Sequence, residues 1–224
     1  MIDSRAWLNY RVESSFSTDR RPSGWPRKPT RDPGAARVTF IENDRYAQTN
    51  SLVSLWLARK WVNGPFVLIN VDVLAHPAVY YRVLATKTNS LAYDSASSGD
   101  AEHMKVAVDN GRVQAIDKNL PEAMTSGENV GILHFDREGT DILFEQADSL
   151  IAQGMDRGWA PAAVDRLARM VPVQAVDITG LPWTEIDFPE DLTRAQCSVW
   201  PGIAGAWSVS SAGESDAADL KRVS

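Results

Sequence analysis

Hydrophobic positions along this chain recur with two periods, and the switches between them mark out alternating strands and helices. VTFIEN (Val38 to Asn43) has the apolar, β-branched character of a strand. Thr49 then stands as an N-cap before NSLVSLWLARKWV, where Leu52, Leu55, Trp56 and Arg59 recur at helical spacing. Gly64-Pro65 stops that helix. FVLINV (Phe66 to Val71) is apolar throughout, the pattern of a buried strand. His76-Pro77 opens a helix to about Ala85, and Leu91 to Asp94 makes a short strand before the polar loop SASSGDAEH. Met104 to Val108 and Val113 to Asp117 are strand-like runs joined through Asp109-Asn110-Gly111, a strong hairpin signal. Asn129 to Asp136 is a strand, Thr140 to about Gln153 and Pro161 to Met170 are helices, and Val173 to Ile178 is the penultimate strand. Strands alternating with helices predict an α/β fold with a mostly parallel sheet, the hairpin being its antiparallel excursion.

The two ends break this pattern. Residues 1 to 37 are rich in Ser, Pro, Gly and Arg and lack periodicity, the composition of a disordered or unrelated segment. Their basic cluster Arg20, Arg21, Arg27, Lys28 and Arg31 has the charge to touch phosphates. From Cys197 to Ser224 the chain is again rich in small residues and reads as a loose tail, leaving 38 to 196 as the α/β domain. The hydrophobic fraction of 44% and charged fraction of 23% are those of an ordinary globular protein. A net charge of −6 argues against nucleic acid as the main partner. A lone cysteine, Cys197, forms no internal disulfide, and no run approaches the roughly 18 apolar residues of a membrane span. A cytoplasmic protein is the expectation.

Candidate chemistry concentrates in WTEIDFPEDLTRA, Trp183 to Ala195. An acidic strand end, Glu185-Ile186-Asp187, runs straight into Pro189-Glu190-Asp191-Leu192, with proline at a first helical position and acids in the first turn. That leaves Asp187 at the mouth of a sheet, where α/β proteins bind ligands. Asp72 in VLINVDVLAHP also follows an apolar strand. Two strand-end aspartates are what one divalent ion and a triphosphate need. The three histidines share no metal-ligand spacing, and Cys197 lacks a neighbour to activate it.

Taken in order, these segments resemble the nucleotidyltransferase family, its phosphocholine cytidylyltransferase-like and sugar-1-phosphate nucleotidyltransferase-like members above all. Tyr46 to Arg59 is similar to the family's Asn-rich helix start, and Asp72-Val73-Leu74-Ala75-His76-Pro77 to its first metal-aspartate strand. Met104-Lys105-Val106, Gly111-Arg112-Val113, Ile116-Asp117-Lys118 and Gly127 to Ile132 resemble its central hairpin and next strand. Trp183 to Asp187 with Pro189 to Leu192 resembles its closing motif. The resemblance covers about Val38 to Ala195.

The resemblance implies a three-layer, Rossmann-like nucleotide-diphospho-sugar transferase fold. It also implies a reaction in which a phosphorylated small molecule attacks the α-phosphorus of a nucleoside triphosphate and releases pyrophosphate. By motif, Asp72 and Asp187 would hold Mg²⁺, which takes one or two carboxylates plus waters and substrate phosphates. Lys105 would neutralise a phosphate, and Asn50 and Glu128 would contact substrate. The chain departs from the family at its start. Residues 1 to 37 supply neither an opening apolar strand nor a Gly-rich loop, and Arg27-Lys28-Pro29 has the wrong order for the family's Pro-Lys pair. The N-terminal part of the fold is therefore expected to be incomplete, which raises the alternative of a catalytically inactive, truncated remnant. An uncovered sheet edge would also favour self-association.

Overall fold

The computed structural model describes residues 39–97 and 103–205. Along them run α1 (Ser51–Ala58), β1 (Phe66–Ile69), β2 (Val73–Ala75), α2 (Pro77–Ala85), β3 (Ser90–Asp94), β4 (Lys105–Asp109) and β5 (Arg112–Asp117). They continue through β6 (Gly127–Phe135), α3 (Arg137–Ala152), α4 (Pro161–Ala168), β7 (Gln174–Asp177), β8 (Trp183–Glu185) and α5 (Pro189–Arg194). The fold is α/β with a mixed sheet.

The sheet is not mostly parallel. Its order is β1-β6-β3-β7-β5-β4, and β4 also returns to pair with β6, curling the sheet toward a barrel-like closure. Among the described residues only β3 and β7 pair in parallel; β6 runs antiparallel to β1, β3 and β4. The reason lies in the chain path. The segment from β1 through α2 to β3 is a crossover, so these two strands share a direction, as the alternation of elements implied. The later strand β6 then slots between them in the opposite sense, which no local pattern reveals.

Helices cover both faces. On one, α1, α3 and α4 pack Leu52, Leu55, Leu143, Ala147, Leu150, Val164 and Leu167 onto Leu91, Leu133 and Phe135. Phe66 stacks between Phe135 and Phe144, with ring centroids 5.2 and 5.8 Å away. On the other, α2 lays Val79 and Val83 against Ala92, Val130, Ile132 and Ile178. The two-stranded β2–β8 ladder joins this second face through Val73, Ala75 and Trp183. Each fully buried Leu, Ile or Phe contributes about 1.5–3 kcal/mol relative to exposure.

Local chemistry explains the boundaries. The β4–β5 hairpin turns on Asn110 and Gly111 at φ 49° and 73°, the left-handed pair that a two-residue loop demands. His76 caps α2, its Nδ1 accepting from Ala78 N–H at 3.0 Å, and Asp136 caps α3 through Gly139 N–H at 2.8 Å. The cap of α1 is Asn50 rather than Thr49, because Thr49 Oγ1 already accepts from the Asn43 side chain.

Other expectations shift. Residues 39–43 form no strand; Asn43 is instead buried and braces Thr49 and Ser54. FVLINV is not the buried strand expected: among the described residues β1 pairs only with β6, and Ile69 and Val71 are 42% and 43% exposed. Residues 197 to 205, expected in a loose tail, continue α5 through a π-helical turn, Ala195–Val199, with Ala195, Val199 and Ile203 turned inward. The N-terminal segment 1 to 37 with its basic cluster, and the tail beyond 205, lie outside the described residues. None of the described helices is long and apolar enough to cross a membrane.

One glycine ties β6 to the end of β1. Gly131 sits at φ +73°, and a Cβ there would come within 2.6 Å of the Asn70 side chain. Gly131→Ala is expected to cost about 1–3 kcal/mol through backbone strain and this clash. Urea unfolding measures it, and an unchanged midpoint would refute the assignment.

Candidate active site

Strands β1, β3 and β7 all point the same way, so their carboxyl ends share one edge of the sheet, beside the start of β6. Chemistry gathers there. Asp72 lies three residues past β1, Asp94 ends β3 and Asp177 ends β7. Register across the sheet sets Asp94 opposite Glu128, and Glu128 opposite Lys105, so these three side chains share the α2 face in one row. Gly127 permits this tight pairing, since a Cβ at that position would fall 2.3 Å from the Asp94 carbonyl oxygen.

Asp72 and Asp187, distant in sequence, are brought together by the β2–β8 ladder. Val73 pairs with Glu185, and the Asp72 carbonyl accepts from Ile186 N–H at 3.0 Å. Asp72 Oδ1 is buried and has no hydrogen-bond partner among the described residues. Burial raises the Asp72 carboxyl above its ordinary value, and repulsion from Asp187 adds to that. Asp187 itself is exposed. Glu185, between them, is pushed up to about 7 by burial and then by the charges of Asp72, Asp187 and Glu128. Among the described residues its hydrogen-bond partner is the Asn70 amide, at 3.4 Å.

Glu128 is 2% exposed, and burial raises its carboxyl. Ser97 Oγ donates to its Oε2, and His103 Nδ1 stands 3.0 Å from the same oxygen. Among the described residues the Lys105 side chain makes no hydrogen bond or ion pair. With Ser95, Ser97, Glu122, Thr125, Ser126 and Gly127 it lines an open cavity of about 370 Å³. Asn50 is not part of this group. Its side chain accepts from Ser51 N–H at 2.7 Å as the α1 cap, within the helical layer on the opposite face.

Several members escaped sequence reading. Asp94 accepts from Trp183 Nε1 at 2.8 Å, Thr179 Oγ1 at 2.9 Å and Ala96 N–H at 3.0 Å. Asp177 is partly desolvated, yet hydrogen bonds from Ser95 and Thr179 outweigh this and lower its carboxyl. Glu185 had a signal: it shares strand parity with Asp187, two residues on. His103 had none, because only the fold carries that polar loop to Glu128. Of the other histidines, His76 is the α2 cap and His134 Nδ1 meets the Thr88 carbonyl at 2.7 Å.

The residues suit a hard divalent cation. All the candidate donors are carboxylate oxygens, one of them buried and unpartnered, and their charges repel one another as they stand. Among the described residues no three His, Cys, Asp or Glu side chains form a ready metal cage. Two carboxylates with open positions are what Mg²⁺ uses when water and phosphates complete its shell.

The chain shares its α/β fold with solved nucleotidyltransferases. Among solved structures it is similar to the inositol-1-phosphate CTP transferase from T. maritima, with TM-score 0.61 and 19% identity over 75% of this chain and 67% of that one. It is also similar to the CTP:phosphocholine cytidylyltransferase from Streptococcus pneumoniae, with TM-score 0.54 and 19% identity over 72% and 68%. Among curated proteins it is 28% identical over 164 residues to a bifunctional IPC transferase and DIPP synthase of Rubrobacter xylanophilus, covering 71% of this chain. A protein of the same name from Aquifex aeolicus is 23% identical over 156 residues. The chain spans 35% and 34% of the length of these two relatives. No protein-family model matches it.

The acids make stability depend on pH. Glu185 is raised from 4.5 to about 7 on folding, so between those values the native state binds the extra proton. Stability is full below 4.5 and is lost as pH rises through 7. Glu185→Gln is expected to remove that part of the slope, leaving the variant about 1–3 kcal/mol ahead of the parent at pH 8. Parallel urea titrations at pH 5 and 8 measure it; identical pH responses would disprove the repulsion.

Proposed function

We propose that this chain is a Mg²⁺-dependent nucleotidyltransferase domain, acting in the cytoplasm where nucleoside triphosphates are supplied. It would transfer a nucleoside monophosphate to a phosphorylated small molecule and release pyrophosphate. The observation that carries this reading is the meeting of Asp72 with Asp187 at the carboxyl edge of the sheet, one carboxylate oxygen buried without a partner.

In this scheme an oxygen of the acceptor's phosphate attacks the α-phosphorus. The new P–O bond forms as the bond to the β-phosphate's bridging oxygen breaks, and that electron pair leaves with pyrophosphate. Such transfers demand positioning and charge neutralisation more than covalent help. Asp72 and Asp187 would hold the cation, with Glu185 beside them. The bound cation supplies neutralisation of phosphate oxygens at the reacting centre. Lys105 would offer its ammonium to the acceptor's phosphate in the cavity that it lines, a reading supported by its pairing opposite Glu128. Glu128 would orient the rest of the acceptor. Its surroundings are rich in hydrogen-bond acceptors and hydroxyls, while the nearby Trp183 has its N–H committed to Asp94. Hydroxyl donors of a sugar or cyclic polyol phosphate suit that lining better than a quaternary ammonium, which asks for aromatic faces.

A second reading is a domain that keeps the site without turnover. About a third of each solved neighbour has no counterpart in the chain, and the edge of β1 carries exposed Ile69 and Val71. That edge would also let the chain pair with itself.

The two readings part in a pyrophosphate-release assay with each nucleoside triphosphate, Mg²⁺, and sugar phosphates, a polyol phosphate or phosphocholine as acceptor. Turnover is expected, and Asp72→Ala or Asp187→Ala should lower it about a hundredfold or more, as several kcal/mol of lost charge stabilisation requires. Lys105→Ala should raise KM for the acceptor about tenfold, the loss of one charged hydrogen bond. A folded chain with no turnover for any pair would leave the inactive domain as the answer.

A further inference from the structure

The residue that follows the acidic strand end is held as firmly as the strand itself. Asp191, in the first turn of α5, accepts from Asp187 N–H at 3.2 Å and from Phe188 N–H at 3.0 Å, both through Oδ2. Its other oxygen, Oδ1, pairs with Arg194 Nη2 at 3.2 Å. Arg194 in turn reaches back to β8: its Nε and Nη2 donate to Thr184 Oγ1 at 3.1 and 2.5 Å. Thr184 is 3% exposed and lies next to Glu185. These contacts close a loop from β8 through Arg194 and Asp191 to the backbone of Asp187.

We infer that Asp191 is the positioning residue for Asp187, with Arg194 holding Asp191 to the buried strand through Thr184. Asp187 is exposed and sits outside the last residue of β8, so neither the ladder nor packing fixes it. By accepting from the amides of Asp187 and Phe188, the Asp191 carboxylate restricts the backbone on both sides of the Asp187 Cα. It also draws the negative charge of Asp191 into hydrogen bonds and an ion pair, away from the acids that face the cation. The sequence encodes this as acids and a base at fixed offsets, Asp187, Asp191 and Arg194, four and three residues apart. Arg194 adds a second effect, since its charge partly offsets the buried Glu128.

This inference rests on the reading of Asp187 as a cation ligand, so the test separates the two. Free Mn²⁺ is titrated by electron paramagnetic resonance against the full 224-residue chain, with no nucleotide and no turnover required. The parent chain should bind Mn²⁺, and Asp187→Asn should abolish that binding. Asp191→Ala should weaken it about tenfold or more, the usual effect of removing a partner that orients a ligand. Asp191→Asn retains one oxygen for the two amides and should stay within about threefold of the parent. Circular dichroism melts are run on each variant. If Asp191→Ala does not fold, Arg194→Met carries the test and should weaken binding about threefold. Unchanged Mn²⁺ affinity in folded Asp191→Ala, or in Arg194→Met where that is used, overturns the positioning role while leaving Asp187 as a ligand. No Mn²⁺ binding by the parent, or full binding by Asp187→Asn, overturns the reading of the site and the inference with it.

Discussion

Repulsion among carboxylates is the constraint around which this domain is built. The β2–β8 ladder is only three residue pairs long, yet it forces Asp72, Glu185 and Asp187 into one neighbourhood. Nothing in the backbone requires acids there; burial and neighbouring charges raise the carboxyls of Asp72 and Glu185, and one buried oxygen of Asp72 has no partner among the described residues. The ladder persists because its other residues are apolar. Val73, Ala75 and Trp183 join α2, Val130 and Ile132 in a dry face that offsets the unfavourable charge.

The layers serve the same edge. On one face α1, α3 and α4 bury the larger apolar cluster, stacking Phe66, Phe135 and Phe144 and anchoring β1 and β6. Among the described residues the other face carries α2 and the small β2–β8 ladder, with α5 and its continuation packed on that ladder. The ends of β3, β6 and β4 meet beside it, where Asp94, Glu128 and Lys105 stand in register. The crossover from β1 to β3 makes their carboxyl ends coincide, and β6, inserted between them, delivers Glu128 from the opposite direction.

Short-range chemistry was readable in the residues. Asn110-Gly111 announced its hairpin, Pro77, Pro161 and Pro189 their helix starts, and the distant pair Asp72 and Asp187 do meet. Strand direction was not readable, because alternating elements say that a crossover exists but not which strand later fills the gap. Nor was the identity of the α1 cap, since Thr49 and Asn50 are both suited to it and only the buried Asn43 decides between them. The same limit explains Asn50, whose side-chain oxygen caps a helix in the layer on the opposite face. His103 and Asp94 belong to the site through the register of β3, β4 and β6, a property of pairing rather than of any segment.

Satisfaction of hydrogen bonds sorts the acids by task. Asp94 receives an indole, a hydroxyl and an amide, and Asp177 is lowered by Ser95 and Thr179; both spend their charge holding loops in place. Asp191 is spent likewise, on two amides and a guanidinium. Asp72 has a buried oxygen with nothing to accept from, and Glu185 has one long contact to an amide. A buried acceptor left open costs about 1–3 kcal/mol, so selection for stability alone would have closed it with a hydroxyl or removed it. The fold meets that demand at Asp94, a few residues of sheet away, and leaves it unmet at Asp72. The contrast separates the acids whose hydrogen bonds shape the edge from those whose carboxylates the described residues leave largely unsatisfied.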